Sequence, residues 1–131
     1  MSDKAIEQEI QIKGLNAPRI KPDDIKTNIA SEHYFTALDG VDGHFRGGPE
    51  AQGVQNAQAL GLLTFCVLVL RNGFTVTGES ACASPENFDA EIGKRIAREN
   101  AVAKVWPLMG YELRSKLAVR AEFGQSEGGE A

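Results

Sequence analysis

The sequence predicts an α+β domain: an antiparallel β-hairpin, open to a third or further strand, packed against one long C-terminal helix, with a short helix near the N-terminus. Three observations predict it. From Leu62 to Leu70 the chain is apolar except for Thr64, as expected of a strand in contact on both faces. Asn72-Gly73 follows, two residues that accept positive φ in a two-residue hairpin turn. Ser84-Pro85-Glu86 then opens a helix: serine caps, proline is tolerated at the first helical position, and an acid suits the positive end of the dipole. Behind that start, Phe88, Ile92, Ile96, Val102, Ala103 and Trp106 recur at helical spacing and form the expected core stripe.

Residues 1–19 are polar, with weak alternation at Ile10, Ile12 and Leu15, and read as an N-terminal arm or short edge strand. Pro22, Asp23 and Asp24 mark a helix start, and Ile25 and Ile29 share a face, which predicts a helix over about 22–32. His33 to Ala37 is expected as a short strand. Glycines at 40, 43, 47, 48 and 53, with Pro49 among them, predict a long loop over about 38–60. Pro107 is expected to end or kink the long helix. Leu108, Tyr111, Leu113 and Leu117 then suggest a further short helix or extended segment. Residues 118–131 become rich in Gly, Ser and Glu and are expected to be mostly a flexible tail. The domain itself spans 20–117.

With a two-residue turn, Arg71 faces Phe74, Cys66 pairs with Glu79, and Leu63 pairs with Cys82. Phe65, Val67 and Val69, joined by Phe74 and Val76, then form the core face of the hairpin. Cys66, Leu68 and Leu70 fall on the other face, beside Thr75, Thr77 and Glu79. Covering of that face by the N-terminal arm or first helix is the simpler account, and a dimer interface is the rival. The helix has a leftover side too. Gly93, Ala97 and Ala101 are four apart, and glycine in a helix interior costs about 1 kcal/mol relative to alanine. A close backbone approach, within the chain or across a dimer, accounts for it. Cys66, Leu68, Leu70, Gly93, Ala97 and Ala101 are thus the candidate interface.

A chain of 131 residues fits one domain and buries about two-thirds of its unfolded surface. No apolar run approaches the roughly 18 residues that span a bilayer, so no membrane association is expected. The first residues lack the apolar core of a signal peptide, which makes the cytoplasm the expected location. Two cysteines build neither a disulfide framework nor a four-thiolate metal site, and both are expected to be reduced. The net charge is −4, but residues 94–120 hold seven basic and two acidic residues, so that stretch is +5 and the remainder −9. Lys94, Arg98, Lys104 and Arg114 are the candidate basic patch. A solvated helix face explains them as well as a nucleic-acid contact, which the overall charge disfavours.

No chemical constellation stands out. Gly78-Glu79-Ser80-Ala81-Cys82 looks like a nucleophile elbow, but Cys82 replaces the last glycine and the strand belongs to a hairpin. Cys82 has only His33 and His44 as conceivable base partners and reads as a packed structural cysteine. Asp39-Gly40-Val41-Asp42-Gly43-His44 resembles an oxygen-rich cation loop, yet lacks the later ligands and closing glutamate of an EF-hand. There is no phosphate-binding glycine motif. No catalytic, cofactor-binding or metal-ligating residue is therefore assigned, no cofactor is expected, and the chain is not expected to be an enzyme.

Asn72-Gly73-Phe74, Gly78-Glu79-Ser80, Pro85-Glu86-Asn87-Phe88-Asp89, Glu91-Ile92-Gly93, the Ala97…Asn100-Ala101 spacing and Trp106-Pro107-Leu108…Gly110-Tyr111 together resemble a family of small tailed-phage and prophage proteins, the phage gene-49/gene-66 family. The resemblance covers residues 20–117. It implies a phage-encoded accessory protein acting inside a bacterial cell, with no catalytic residues to carry over. The expected partner is a protein of the host or phage. Nucleic-acid binding through the basic stretch and self-assembly, as a homodimer or structural protein, are the alternatives.

Overall fold

The computed structural model describes residues 3–46 and 53–130, with side chains to 123. The chain forms two compact units. One comprises residues 29–104; the other joins the segment before Ile29 to the segment from Val105 onward. The architecture is α+β, a three-stranded antiparallel sheet and a long C-terminal helix with short helices before them.

In the unit 29–104, β1 (Ile29–Thr36), β2 (Leu63–Leu70) and β3 (Thr75–Ala81) pair in the order β1-β2-β3. The third strand is thus longer and earlier than His33–Ala37, and it pairs with β2 as Tyr34 opposite Cys66 and Phe35 opposite Phe65. A bulge at Ile29/Ser31 ends its regular register. The segment 38–60, expected as a loop, carries α3 (Ala37–Phe45) and α4 (Ala57–Gly61), while 47–52 lie outside the described residues. Capping explains α3. Thr36 Oγ1 accepts from the Asp39 amide at 3.1 Å, and Asp39 Oδ2 accepts from the Thr36 amide at 2.9 Å. Asp39 is thus a helix cap, and the look-alike cation loop lies within a helix.

The hairpin register differs by one residue from the expected one. The loop holds three residues, Arg71, Asn72 and Gly73: the Gly73 N–H donates to the Leu70 carbonyl at 2.9 Å, and the Leu70 N–H donates to Phe74 O at 2.8 Å. Gly73 takes φ +89°, the left-handed residue that follows a type I turn in a three-residue hairpin. Cys66 therefore pairs with Gly78 and Leu68 with Val76, not Cys66 with Glu79. A one-residue change of pairing redistributes a strand's partners between the two faces. The buried face is Thr64, Cys66, Leu68 and Leu70, joined by Val76 and Gly78. Phe65, Val67 and Val69, expected as core, lie on the outward face and are half-buried.

The helix start also moves. Pro85–Asn87 forms a single 3₁₀ turn in which Ser84 makes no side-chain cap. The helix proper, α5 (Ala90–Glu130), is capped by Asp89, whose Oδ1 accepts from the amides of Glu91 (2.9 Å) and Ile92 (3.0 Å). Proline at the head of the 3₁₀ turn and a shorter-armed acid four residues later divide the work expected of Ser84 alone. α5 packs on the sheet with its small residues: Gly93, Ala97 and Ala101 are buried, while Ile92 is 48 % and Ile96 41 % exposed. The expected core stripe and the expected spare stripe have exchanged places.

The other unit contains α1 (Asp3–Ile12), α2 (Pro22–Asn28) and the later part of α5. Residues 3–12, read as an arm or edge strand, are helical; Ile6 and Ile10 are four apart, a helical spacing that outweighs the weak alternation. Arg19 pairs with Glu7, and the Trp106 indole N–H donates to Asp3 Oδ2 at 3.1 Å. Trp106, expected in the core stripe, is half-buried; Ile25 and Val105 are the buried apolar residues of this unit. Helix α5 continues through Pro107, where an end or a kink was expected, and through 118–130, where a mostly flexible tail was expected.

Candidate functional site

The six residues singled out as a candidate interface come together, but inside the unit 29–104. Cys66, Leu68, Ala97 and Ala101 are fully buried, and Leu70 is 4 % exposed. The contact is made close by glycine. A Cβ on Gly78 would overlap the Ala97 carbonyl oxygen and the Ala101 nitrogen and stand 2.9 Å from Ala101 Cα. A Cβ on Gly93 would stand 3.1 Å from Thr64 Oγ1. The close approach that the helix glycine called for is therefore an internal one, between helix and sheet. As a docking surface this face is taken.

Beside that contact lies a polar cluster on the same face of β1. Arg98 Nε donates to Glu32 Oε1 at 2.6 Å, and the Tyr34 hydroxyl donates to the same oxygen at 2.9 Å. Burial works against the Glu32 carboxylate, but these hydrogen bonds outweigh it and hold its pKa below the usual range. Burial, reinforced by the bond to Glu32, pushes the Tyr34 phenol well above the ordinary tyrosine value. Burial likewise pushes the Cys66 thiol up. The cluster pairs no nucleophile with a base; it ties β1 to α5.

Within the unit 29–104 the basic patch is not assembled. Arg98 is held by Glu32, and Lys94 Nζ lies 3.7 Å from Glu91 Oε1. Lys104 is exposed but turned about 120° from Arg98 around the helix. Arg114 is exposed in the other unit.

Two features of the unit 29–104 remain open to a partner. At the Thr64 end, a cleft of about 290 Å³ lies between β2, β3 and the start of α5. Thr64, Ser80 and Cys82 are on its walls, with Phe88, Ile92 and Ile96. The Cys82 thiol donates to the Ser84 carbonyl at 3.1 Å, and both cysteines are free. They share one sheet face, because Cys82 continues the alternation of Val76 and Gly78 under the observed register. The cleft brings together a hydroxyl pair and a thiol, but Asp89, its carboxylate, is engaged in capping. Among the described residues no group of three or more His, Cys, Asp or Glu is placed to hold a metal ion.

The second feature is the outward face of the sheet, which sequence reasoning assigned to the core. Phe35 and Phe65 stack tilted with centroids 5.5 Å apart, and Phe35 remains 39 % exposed. Val67 and Val69 continue the strip along β2. Thr75, Thr77 and Glu79 border it on β3, with Ser31 and His33 on β1. The signal that could have found it is the polar alternation of β3, where Thr75, Thr77 and Glu79 already name the side that faces water. No helix among the described residues is long and apolar enough to cross a membrane.

No curated protein and no solved structure matches this chain. A family model does match, over residues 20–117, which include all three strands and the helix–sheet contact around Gly78. On that match the chain belongs to the Phage protein (N4 Gp49/phage Sf6 gene 66) family.

Proposed function

We propose that this is a non-enzymatic phage accessory protein that works by binding a host or phage protein, and that the outward face of the sheet is the contact surface. One observation carries the reading: β2 is apolar on both faces, and α5 covers only one of them. The strip of Phe35, Phe65, Val67 and Val69 is bordered by threonine and serine hydroxyls, an apolar centre with a hydrogen-bonding rim. Outside residues 94–120 the chain carries −9, which favours encounter with a basic partner, in the cytoplasm of the infected cell. Nucleic-acid binding has less support, since Arg98 is held by Glu32 and Lys104 projects about 120° away from it around the helix.

The test is a tagged pull-down from host lysate with and without phage proteins, run in parallel with Val67→Lys. The reading expects a partner recovered reproducibly by the wild type and lost with the variant, while the circular dichroism of the two proteins agrees. A partner retained equally by Val67→Lys, or none recovered, refutes this surface.

A further inference from the structure

We infer that β1 is a self-pairing edge: two copies of this chain join β1 to β1 antiparallel about a two-fold axis through His33, making one six-stranded sheet. The inference rests on the edges of the sheet, independently of what its outward face binds. A three-stranded sheet has two edges, here β1 and β3. They are treated differently. On β3, the Asn100 side chain reaches from α5 and donates to the Glu79 carbonyl at 2.8 Å, occupying an edge acceptor. On β1, no described element of the unit 29–104 lies beyond the strand. It runs eight residues with no proline or lysine to deter pairing, and its bulge sits at the start, Ile29/Ser31.

The register follows from the strand's own residues. In an antiparallel pair, opposed side chains share a face. Ser31, His33 and Phe35 point outward and Glu32, Tyr34 and Thr36 toward the helix, so only registers that pair like with like are allowed. Centring on Glu32 would set two carboxylates against each other and include the bulge. Centring on Tyr34 would set Glu32 opposite Thr36, whose amide already donates to Asp39 Oδ2 at 2.9 Å. Centring on His33 overlaps 31–35, clear of the bulge at Ala30, and places Ser31 opposite Phe35 and Glu32 opposite Tyr34 of the second copy. Tyrosine is already the donor that Glu32 accepts within its own strand, at 2.9 Å. Both bonds to Glu32, from Tyr34 and Arg98, fall on Oε1. The joint outward face then carries one Phe35–Phe65 pair at each end of the β1–β1 seam.

The experiment uses the full chain. Light scattering across a concentration series expects a species of twice 14.1 kDa. His33→Cys, in a Cys82→Ser background, expects a disulfide-linked dimer under mild oxidation, since opposed Cα atoms at about 4.5–5.5 Å lie within disulfide reach. Thr77→Cys on β3 should stay uncrosslinked. His33→Lys sets two like charges opposite each other at an exposed position and should weaken association by roughly fivefold without changing the fold. A 14.1 kDa monomer at every concentration overturns the inference. So does a dimer that cross-links through Thr77→Cys instead, or one indifferent to His33→Lys.

Discussion

Gly78→Ala is the sharpest test of how the helix sits on the sheet. The substitution adds one methyl group, which in an exposed strand would be harmless. Here it would occupy the space held by the Ala97 carbonyl oxygen and the Ala101 nitrogen, both backbone atoms, with Ala101 Cα only 2.9 Å away. No rotamer change relieves such a clash; α5 must lift from β3 by about 1 Å. A gap of 0.5–1 Å forfeits about a quarter to a half of the dispersion attraction across a contact. The contact concerned is that of Cys66, Leu68, Ala97 and Ala101, all fully buried. Overpacking costs typically about 1–3 kcal/mol, and a backbone-to-backbone clash belongs at the upper end, so about 3 kcal/mol is expected. For a chain of this size that corresponds to a fall in Tm of roughly 10–15 °C. Thermal melts followed by circular dichroism measure it, with Gly43→Ala as the control, because a Cβ there meets nothing within 4 Å. If Gly78→Ala lowers Tm by less than about 4 °C, the helix is not seated on that glycine and the internal reading of the small-residue stripe is wrong.

Gly110→Ala should act in the opposite direction: the position is helical with open space around the new Cβ, so about 1 kcal/mol of stabilisation is expected in denaturant titration. The two cysteines should react unequally with a thiol reagent under native conditions, Cys82 promptly and Cys66 only on unfolding, since Cys66 is fully buried and burial raises its thiol pKa; equal native rates would contradict this packing. Glu32 has a folded pKa below its unfolded value of 4.5, so it contributes stability above that pH and loses it as pH falls through the folded value. Glu32→Gln should therefore flatten the decline of Tm between about pH 5 and pH 3. Tyr34 has the reverse sign: its raised pKa means the folded state holds the proton longer, so stability falls as pH rises above the ordinary tyrosine range, and Tyr34→Phe should remove that part of the alkaline loss in melts at rising pH.

The elements were legible where periodicity and caps agree, and the faces were not. β2 announced itself, but a strand apolar on both sides carries no information about which side is inside. The decision passed to the turn, where Asn72-Gly73 suits a two-residue loop and equally ends a three-residue one, with Arg71 as its first member. That single residue changed which β3 side chains accompany Cys66. The helix misled for a related reason. Large apolar residues were taken as the core stripe, whereas this sheet offers Gly78 where a large helix residue would have to fit, and only Gly93, Ala97 and Ala101 allow the backbones to meet. Gly78, in the middle of a polar-looking strand, was the missed clue: a glycine in a strand interior often marks a close backbone approach. The segment 38–60 was misread because glycine counts outweighed a capping box, Thr36 with Asp39, that starts a helix in their midst.

The close seating of α5 explains why this small fold has apolar surface to spare. A helix that meets a sheet through glycine and alanine approaches nearer than one that meets it through leucine, and its larger residues flank the contact instead of filling it. Ile92 and Ile96 are consequently left at the rim, 48 % and 41 % exposed, beside the cleft. On the other side of the sheet no described element comparable to α5 covers Val67 and Val69, and α3 borders the Phe35 end, where Gly40 leaves its Cβ position 3.6 Å from the Phe35 ring. Had α5 packed through Phe88, Ile92 and Ile96 against Phe65 and Val67, as the simplest pattern suggests, that strip would be covered and the Cys66, Leu68 and Leu70 face left over instead. The same few small residues that close the core therefore leave the outward strip uncovered. A substitution that loosens Gly78 should disturb partner binding only as far as it disturbs the sheet, whereas Val67→Lys should abolish binding with the core intact. Measuring both variants for stability and for partner recovery separates the packing role of one sheet face from the contact role of the other.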